Sequence, residues 1–415
     1  MQTNLADFIK DTRAGKEADA ILRACVHCGF CTATCPTYQL LGDELDGPRG
    51  RIYLIKQVLE GAPATAKTQS HLDRCLTCRN CESTCPSGVE YGRLLDIGRK
   101  VVEDQVPRPV AQQLTRKLLK EFLPRPWLFK PAMAAGQLLR PLLPRKLKNK
   151  IPEKQEAGVL QKKQTLRQHA RKMLLLDGCV QPAMSPNINR AAARVFDALE
   201  VQLVVAPKAG CCGAIRYHLN DQAGGLDDMR RNIDAWWPYV IGSNGDGVEA
   251  IVMTASGCGV TVKEYGHLLA ADPLYAVKAK AISALTKDLS EILPEFEIEL
   301  QQKLRGKFPE RVVYHPPCTL QHGQQIRGKV EGLLRGVGVD VQLCADSHLC
   351  CGSAGTYSVL QPELSYRLRD NKLEKLQASR PDMIVSANIG CLTHLQSGTQ
   401  TPVRHWIELL DQALS

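Results

Sequence analysis

The chain has 415 residues, more than one ordinary core accommodates, so it reads as two to four domains, and its 17 cysteines are too sparse for a disulfide-rich secreted scaffold. Its net charge of +10 is uneven: 17 Lys and Arg against three Glu and no Asp fall between Gln105 and Lys172, which leaves the remainder slightly acidic. A membrane-spanning helix needs about 18 consecutive apolar residues, and the most apolar stretch, Pro131 to Pro144, is cut by Gln137 and Arg140.

The N-terminus, MQTNLADFIKDTRAGKEADAIL, scatters charge and shows no apolar leader, so a reducing compartment is expected, with thiolates available to metal. A first domain is expected over 1–104. Its run CVHCGFCTATCP places Cys25, Cys28, Cys31 and Cys35 in the order C-x2-C-x2-C-x3-C-P, and CLTCRNCESTCP repeats it with Cys75, Cys78, Cys81 and Cys85. Three thiolates at this spacing wrap one corner of a 4Fe–4S cube, and in two-cluster ferredoxins the fourth cysteine of each run serves the other cluster. The expected ligand sets are therefore Cys25, Cys28, Cys31 and Cys85 for one cluster, and Cys75, Cys78, Cys81 and Cys35 for the other. Structural zinc would predict two cysteine pairs per ion, not two identical runs each closed by proline. Between the runs, GPRGRIYLIKQVLEG sets Ile52, Ile55, Val58 and Leu59 on one helical face, so the scaffold is expected to be α-helical. Arg49 and Arg51 supply cations beside anionic clusters, or are helix-start surface arginines.

Residues 105–172 form a basic, Pro-rich linker whose prolines at 107, 109, 124, 126, 131, 141, 144 and 152 divide it into short amphipathic helices. Leu, Trp and Phe alternate there with Lys and Arg, which suits a membrane surface or a partner as well as a solvated linker; nucleic acid has no supporting motif.

An internal repeat follows, with domains expected over 173–305 and 306–415. Cys179, Cys211, Cys212 and Cys258 recur as Cys318, Cys350, Cys351 and Cys391, at offsets of 139, 139, 139 and 133 residues. Apolar β-branched runs precede the first and last cysteine of each copy, and helical patterns such as NRAAARVFDALE and GKVEGLLRGVG lie between, so two homologous α/β domains are expected with cysteines in loops after strand ends. Adjacent cysteines make poor disulfides and poor packing but suit metal. Each set of four thiols fits a further cluster in one or both copies, or structural and vestigial cysteines. Cys344 has no counterpart and reads as a small buried hydrophobe. His27, His315, His348 and His394 are candidates for tuning or replacing ligands, against ordinary packed histidines. No nucleotide-binding glycine fingerprint, Walker A loop or nucleophile elbow is present, so no flavin is expected in this chain.

Tandem ferredoxin runs followed by two Cys-Cys-Gly (CCG) domains resemble the family of iron–sulfur subunits that serve glycolate, lactate and anaerobic glycerol-3-phosphate oxidation and, in fused form, heterodisulfide reduction. The runs ILRACVHCGFCTATCPTYQLLGDELDGPRGRIYLIKQVLEG, HLDRCLTCRNCESTCPSGV, RNIDAWWP, TASGCG and DSHLCCGSAGTY are most similar to the glycolate-oxidising members, over nearly the whole chain. The resemblance implies an α+β multidomain protein that passes electrons one at a time from an FAD-binding subunit oxidising glycolate to glyoxylate, assisted by a second flavoprotein-like subunit, toward a quinone or the respiratory chain. It also implies a peripheral place on the cytoplasmic face of the bacterial inner membrane. Heterodisulfide-type CCG domains end in C-x-x-C, whereas here the last pairs read Cys258 to Thr261 and Cys391 to His394, which counts against thiol-disulfide catalysis.

Overall fold

The computed structural model describes residues 1–144, 148, 150–154, 167–242 and 247–414. Up to Gln105 every regular element is helical. Helix Arg13–Ala24 starts where the Thr12 hydroxyl accepts the Gly15 amide, and helix Ala66–Asp73 repeats the device with Thr65 and Thr68. Helix Pro48–Leu59 opens on proline in its first turn and buries Ile52, Ile55, Val58 and Leu59, the face its periodicity predicts. These side chains meet Leu94, Leu95 and Val102 of helix Tyr91–Gln105 in one core, with Cys25, Cys75 and Cys81 at its edge.

Helices Val110–Phe122 and Pro126–Leu138 follow. Pro131 lies inside the second instead of ending it, on an exposed turn where water can take the carbonyl it leaves unpaired. The later prolines, Pro141, Pro144 and Pro152, lie outside regular α-helix, and residues 145–147, 149 and 155–166 of the linker are outside the described residues.

The repeat folds into two four-stranded, wholly parallel sheets. The first has β1 (Arg171–Leu175), β2 (Val201–Val204), β3 (Ile251–Met253) and β4 (Thr286–Asp288) in the order β2-β1-β3-β4. The second has β5 (Val312–His315), β6 (Val341–Leu343), β7 (Met383–Ser386) and β8 (Val403–His405) in the order β6-β5-β7-β8. Central strands buried on both faces explain why Met173–Leu176 and Val312–Tyr314 read as continuous apolar runs without alternation.

The two sheets share a core. Helix Asn187–Ala198, which follows β1, packs on helix Trp406–Ala413, which follows β8; helix Leu289–Ile292, which follows β4, packs on helix Lys329–Gly336, which follows β5. This reciprocal exchange is that of a pseudo-two-fold pair, and it buries Phe196, Leu293, Leu334 and Trp406 in one cluster. Across the same seam His405 Nε2 lies 2.9 Å from the Thr254 carbonyl, and the Ser256 amide donates to the Ala387 carbonyl at 3.1 Å.

Candidate metal centres

The two ferredoxin-type runs adopt one backbone path. In the first, His27 and Gly29 have φ of 55° and 85°; at the same two positions of the second, Thr77 and Arg79 have 52° and 57°. Left-handed residues at these two positions bend the backbone around the thiols, and the Thr77 amide points at Cys75 Sγ from 3.4 Å. The thiols fall into two groups. Cys25, Cys28 and Cys85 bear electrostatically on Cys31, and the same four line one small cavity with Cys81 at its wall. Cys75, Cys78 and Cys35 bear on Cys81. Each group thus takes three thiols from one run and the fourth from the other. Four converging thiols inside an amide-lined loop fit a cubane cluster.

Burial pushes the Cys31 thiol up to about 11 and raises Cys78 and Cys81 well above the usual thiol range. Iron binding must therefore release protons, and cations must offset the charge that replaces them. Arg51 is one such cation, 1% exposed, donating to the His71 carbonyl at 2.8 Å and Thr37 Oγ1 at 3.2 Å, with Cys75 and Cys35 both within its field. Asp46 ties it down, with His71 Nδ1 at 3.0 Å and Arg74 at 2.8 Å on the same carboxylate. Arg49 serves the other group, paired with Glu44 at 2.6 Å and bearing on Cys31. Tyr91, buried, donates to Cys75 Sγ at 3.6 Å.

In both α/β domains the cysteines sit where the sheet topology makes a crevice. The chain leaves the first strand for one neighbour and later crosses to the other side, so the loops after β1, β2 and β3 part above their carboxyl ends, and ligands bind at such switch points. Cys179, Cys211 and Cys212 lie on the loops after β1 and β2, and Cys318, Cys350 and Cys351 on those after β5 and β6, whereas Cys258 and Cys391, expected on loops, stand in the first turns of helices Ser256–Lys263 and Ile389–Gln396 that begin directly after β3 and β7. The glycine after each cysteine pair is obligatory. Gly213 and Gly352 have φ of 91° and 86°, and a Cβ would come within 2.6 Å of the Gly225 carbonyl or 2.5 Å of the Ser365 carbonyl. The thiols run in sequence, Cys318 to Cys350 at 3.9 Å and then Cys351 and Cys391; Cys179, Cys211, Cys212 and Cys258 repeat the order. The donor set again suits a thiolate-bound metal group.

The second α/β domain abuts the second ferredoxin run. Cys318 and Cys350 bear on Cys78, and Leu76 is buried with Cys318, Cys350, Tyr357 and Leu368. Tyr357 donates to the Arg74 carbonyl at 3.1 Å and Asn80 to the His348 carbonyl at 3.2 Å. A cavity of about 2080 Å³ lies between the helical domain, the linker helices and both sheets, and among the described residues its lining includes all eight repeat cysteines together with Cys75 and Cys78.

Of the histidines picked out from sequence, His394 is occupied by packing: Nε2 lies 3.1 Å from Ser365 Oγ and the ring stacks on Tyr366. The His348 carbonyl serves the domain contact, whereas His315 is buried beside Cys351 and Cys391. Cys344 packs half-buried at the edge of the sheet. Residues that sequence reasoning missed are Tyr91, Asp46, His322 and Lys372. His322 bridges the domains, with Nδ1 3.0 Å from Ser83 Oγ and Nε2 2.9 Å from the His348 carbonyl. None lies at a motif spacing; the one available signal was Asp46 directly before the Gly-Pro turn that opens the arginine-bearing helix.

Comparison with known proteins agrees with this layout. Residues 21–89 match the 4Fe-4S dicluster domain, and residues 173–263 and 312–396 both match the cysteine-rich CCG domain. The chain is 55% identical over 414 residues to the glycolate oxidase iron-sulfur subunit of Escherichia coli, covering 100% of this chain and 99% of that one. It is 28% identical over 402 residues to a probable glycolate oxidase iron-sulfur subunit of Bacillus subtilis, covering 91% and 88%. Lactate utilization protein A of an Exiguobacterium is 24% identical over 242 residues, 57% of this chain and 95% of the relative. With near-complete coverage, both halves of the repeat and both ferredoxin runs in place, the chain belongs to the family of glycolate oxidase iron–sulfur subunits.

Proposed function

We propose that this chain is the electron relay of a respiratory glycolate oxidase, taking electrons from an FAD-binding partner that oxidises glycolate to glyoxylate, with a second flavoprotein-like subunit, and delivering them toward quinone. The observation that carries the reading is the abutment of Cys78 on Cys318 and Cys350, which places the repeat's thiols against one ferredoxin group. Clusters of the 4Fe–4S type, when bound, accept and pass single electrons. Cys25, Cys28, Cys31 and Cys85 would hold one, and Cys75, Cys78, Cys81 and Cys35 the other; the repeat's two sets of four cysteines would hold further iron. The chain's own contribution is to fix the separation, with Leu76 and Tyr357 packed across the joint, and to stabilise added negative charge through Arg49 and Arg51. The division into 1–104, 105–172, 173–305 and 306–415 follows this reading.

The same proposal puts the linker helices against the anionic cytoplasmic face of the inner membrane. No helix among the described residues is long and apolar enough to cross a bilayer, whereas Leu114, Leu118, Trp127 and Leu138 are exposed along the two linker helices among lysines and arginines. Anaerobic co-purification with the flavoprotein tests the whole reading. The expected complex is brown, holds about eight irons or more in this chain, shows two interacting cluster signals by electron paramagnetic resonance, and reduces a dye with glycolate. A colourless chain with stoichiometric zinc would overturn it; activity with lactate alone would overturn the substrate.

A further inference from the structure

His315 ends β5 with its side chain enclosed, 1% exposed, and among the described residues neither ring nitrogen has a hydrogen-bond partner. A buried imidazole without a partner is uncompensated in the metal-free chain. What surrounds it is sulfur: a ring nitrogen and the thiols of Cys351 and Cys391 all lie within 4.8 Å of one another. The Ser386 hydroxyl donates to the His315 carbonyl at 2.8 Å, which fixes the backbone and leaves the ring aimed at the thiols. A buried cation stands beside them, since Lys372 donates to the Asp346 carbonyl at 2.6 Å and its charge bears on Cys350, Cys351 and His315.

The first copy has no such group. The 139-residue offset that relates Cys318 to Cys179 puts Leu176 at the position of His315, and Leu176 is a core residue, 4% exposed. The repeat therefore preserves its thiols and differs in the one side chain that could add a nitrogen donor.

We propose that the second CCG site holds an iron–sulfur centre in which His315 supplies an imidazole ligand alongside Cys351 and Cys391, and that the first site lacks this ligand. The inference rests on the reading of the repeat's cysteines as iron ligands. Iron is favoured over zinc because Cys350, the chain neighbour of Cys351, bears on Cys78, and a redox-inert ion at this point would interrupt the relay. A neutral imidazole in place of a thiolate makes the centre less negative and raises its potential, as in other mixed Cys/His iron–sulfur sites.

The test uses the full chain, loaded anaerobically with iron and sulfide and labelled with 15N-histidine. His315→Leu copies the side chain of the first repeat, and His315→Cys offers a thiolate in its place. Expected are about 12 irons or more in the unsubstituted chain with a nitrogen coupling by electron–nuclear double resonance, and loss of that coupling in His315→Leu, whose second site is left with the four thiols of the first. His315→Cys should keep the iron, lose the coupling and lower the midpoint potential. An unchanged coupling in His315→Leu would overturn the proposal, as would zinc in this site. A chain with only about eight irons, all lost on replacing ferredoxin-run cysteines, would overturn it while leaving the two-cluster relay intact.

Discussion

The two CCG domains share strand order, cysteine placement and the left-handed glycine, yet they meet the helical domain by different chemistry. The second copy buries Leu76, Leu364, Leu368 and Tyr357 across the joint and brings Cys318 and Cys350 to Cys78. The first meets it through polar contacts: Arg79 to Glu264 in a two-pronged pair, His218 to Asp96 at 3.3 Å, and Arg13 to the His267 carbonyl at 2.6 Å. A buried leucine contributes about 1.5–3 kcal/mol, whereas partly exposed ion pairs contribute about 0–1 kcal/mol each. Duplication has kept the frame that makes the crevice and has let the outer surfaces diverge, so that one copy is joined to the ferredoxin thiols and the other is held at the rim.

The strongest way to break that comparison is to replace cysteines at the joint and away from it. Cys78→Ser should remove about four irons and lower glycolate-dependent dye reduction by the reconstituted complex at least ~100-fold, because the cluster nearest the repeat loses a ligand. Cys350→Ser and Cys211→Ser are the matched pair. If the joint defines the path, Cys350→Ser should slow re-oxidation of the reduced ferredoxin clusters at least ~10-fold in stopped-flow absorbance, and Cys211→Ser should change that rate less than ~2-fold. Equal effects would show that the copies are wired alike.

Next in size are substitutions that read the frame itself. Arg51→Met leaves the buried Asp46 carboxylate with Arg74 and His71 alone, and removing one partner of a buried ion pair should cost about 3 kcal/mol, read as a lower thermal midpoint of the iron-loaded chain. A cluster held by Cys75, Cys78, Cys81 and Cys35, as proposed above, should also move to lower potential. Gly213→Ala and Gly352→Ala should each cost about 1–3 kcal/mol, since a Cβ would meet backbone oxygen at a positive φ in both copies. Similar losses at the two positions would confirm that the crevices are structurally equivalent; a large difference would show that the shared frame is only approximate.

Much of this layout was legible in the sequence, and the parts that were not have a common cause. The thiol runs, the helix face of Ile52, Ile55, Val58 and Leu59, and the two homologous α/β domains all depend on local spacing or periodicity, which a sequence displays directly, whereas Cys258 and Cys391, expected on loops, open helices Ser256–Lys263 and Ile389–Gln396. The role of Arg51 was visible only as a cation near a motif; that it lies beside Cys75 and Cys35, and Arg49 beside Cys31, follows from helix Pro48–Leu59 crossing between the runs. His322, Tyr357 and Leu76 act across a joint between segments some 240 to 280 residues apart, as in the Ser83–His322 and Arg74–Tyr357 contacts, and no local pattern marks them. His394 stands at the position of the missing last cysteine, which made it a candidate ligand against an ordinary packed histidine, and helix Ile389–Gln396 turns its ring toward Ser365 and Tyr366, the packed alternative.

The smallest expected effect on the clusters, and the one that separates relay from location, concerns the linker that touches both copies. Helix Val110–Phe122 meets the first through Arg216, which donates to the Lys120 carbonyl at 3.3 Å, and Lys150 meets the second through the Ser358 carbonyl at 2.7 Å. Its inner side is thereby committed to the domains, while Leu114, Leu118 and Trp127 face out, Trp127 being 71% exposed. An apolar row with Lys117 exposed beside it suits an anionic bilayer, where a basic residue near the surface adds about 1 kcal/mol and the apolar side chains add burial, whereas Lys120 and Lys130 pair with Asp221 and Asp177 of the first copy. The unsubstituted chain should therefore co-sediment with vesicles containing phosphatidylglycerol and release from them as salt rises. The triple variant Leu114→Glu, Leu118→Glu, Trp127→Glu should weaken that binding at least ~10-fold, with iron content and glycolate-dependent dye reduction unchanged in the soluble complex. Equal binding to neutral vesicles, or no loss in the variant, would remove the lipid surface from the account and leave the linker as a brace between the two copies.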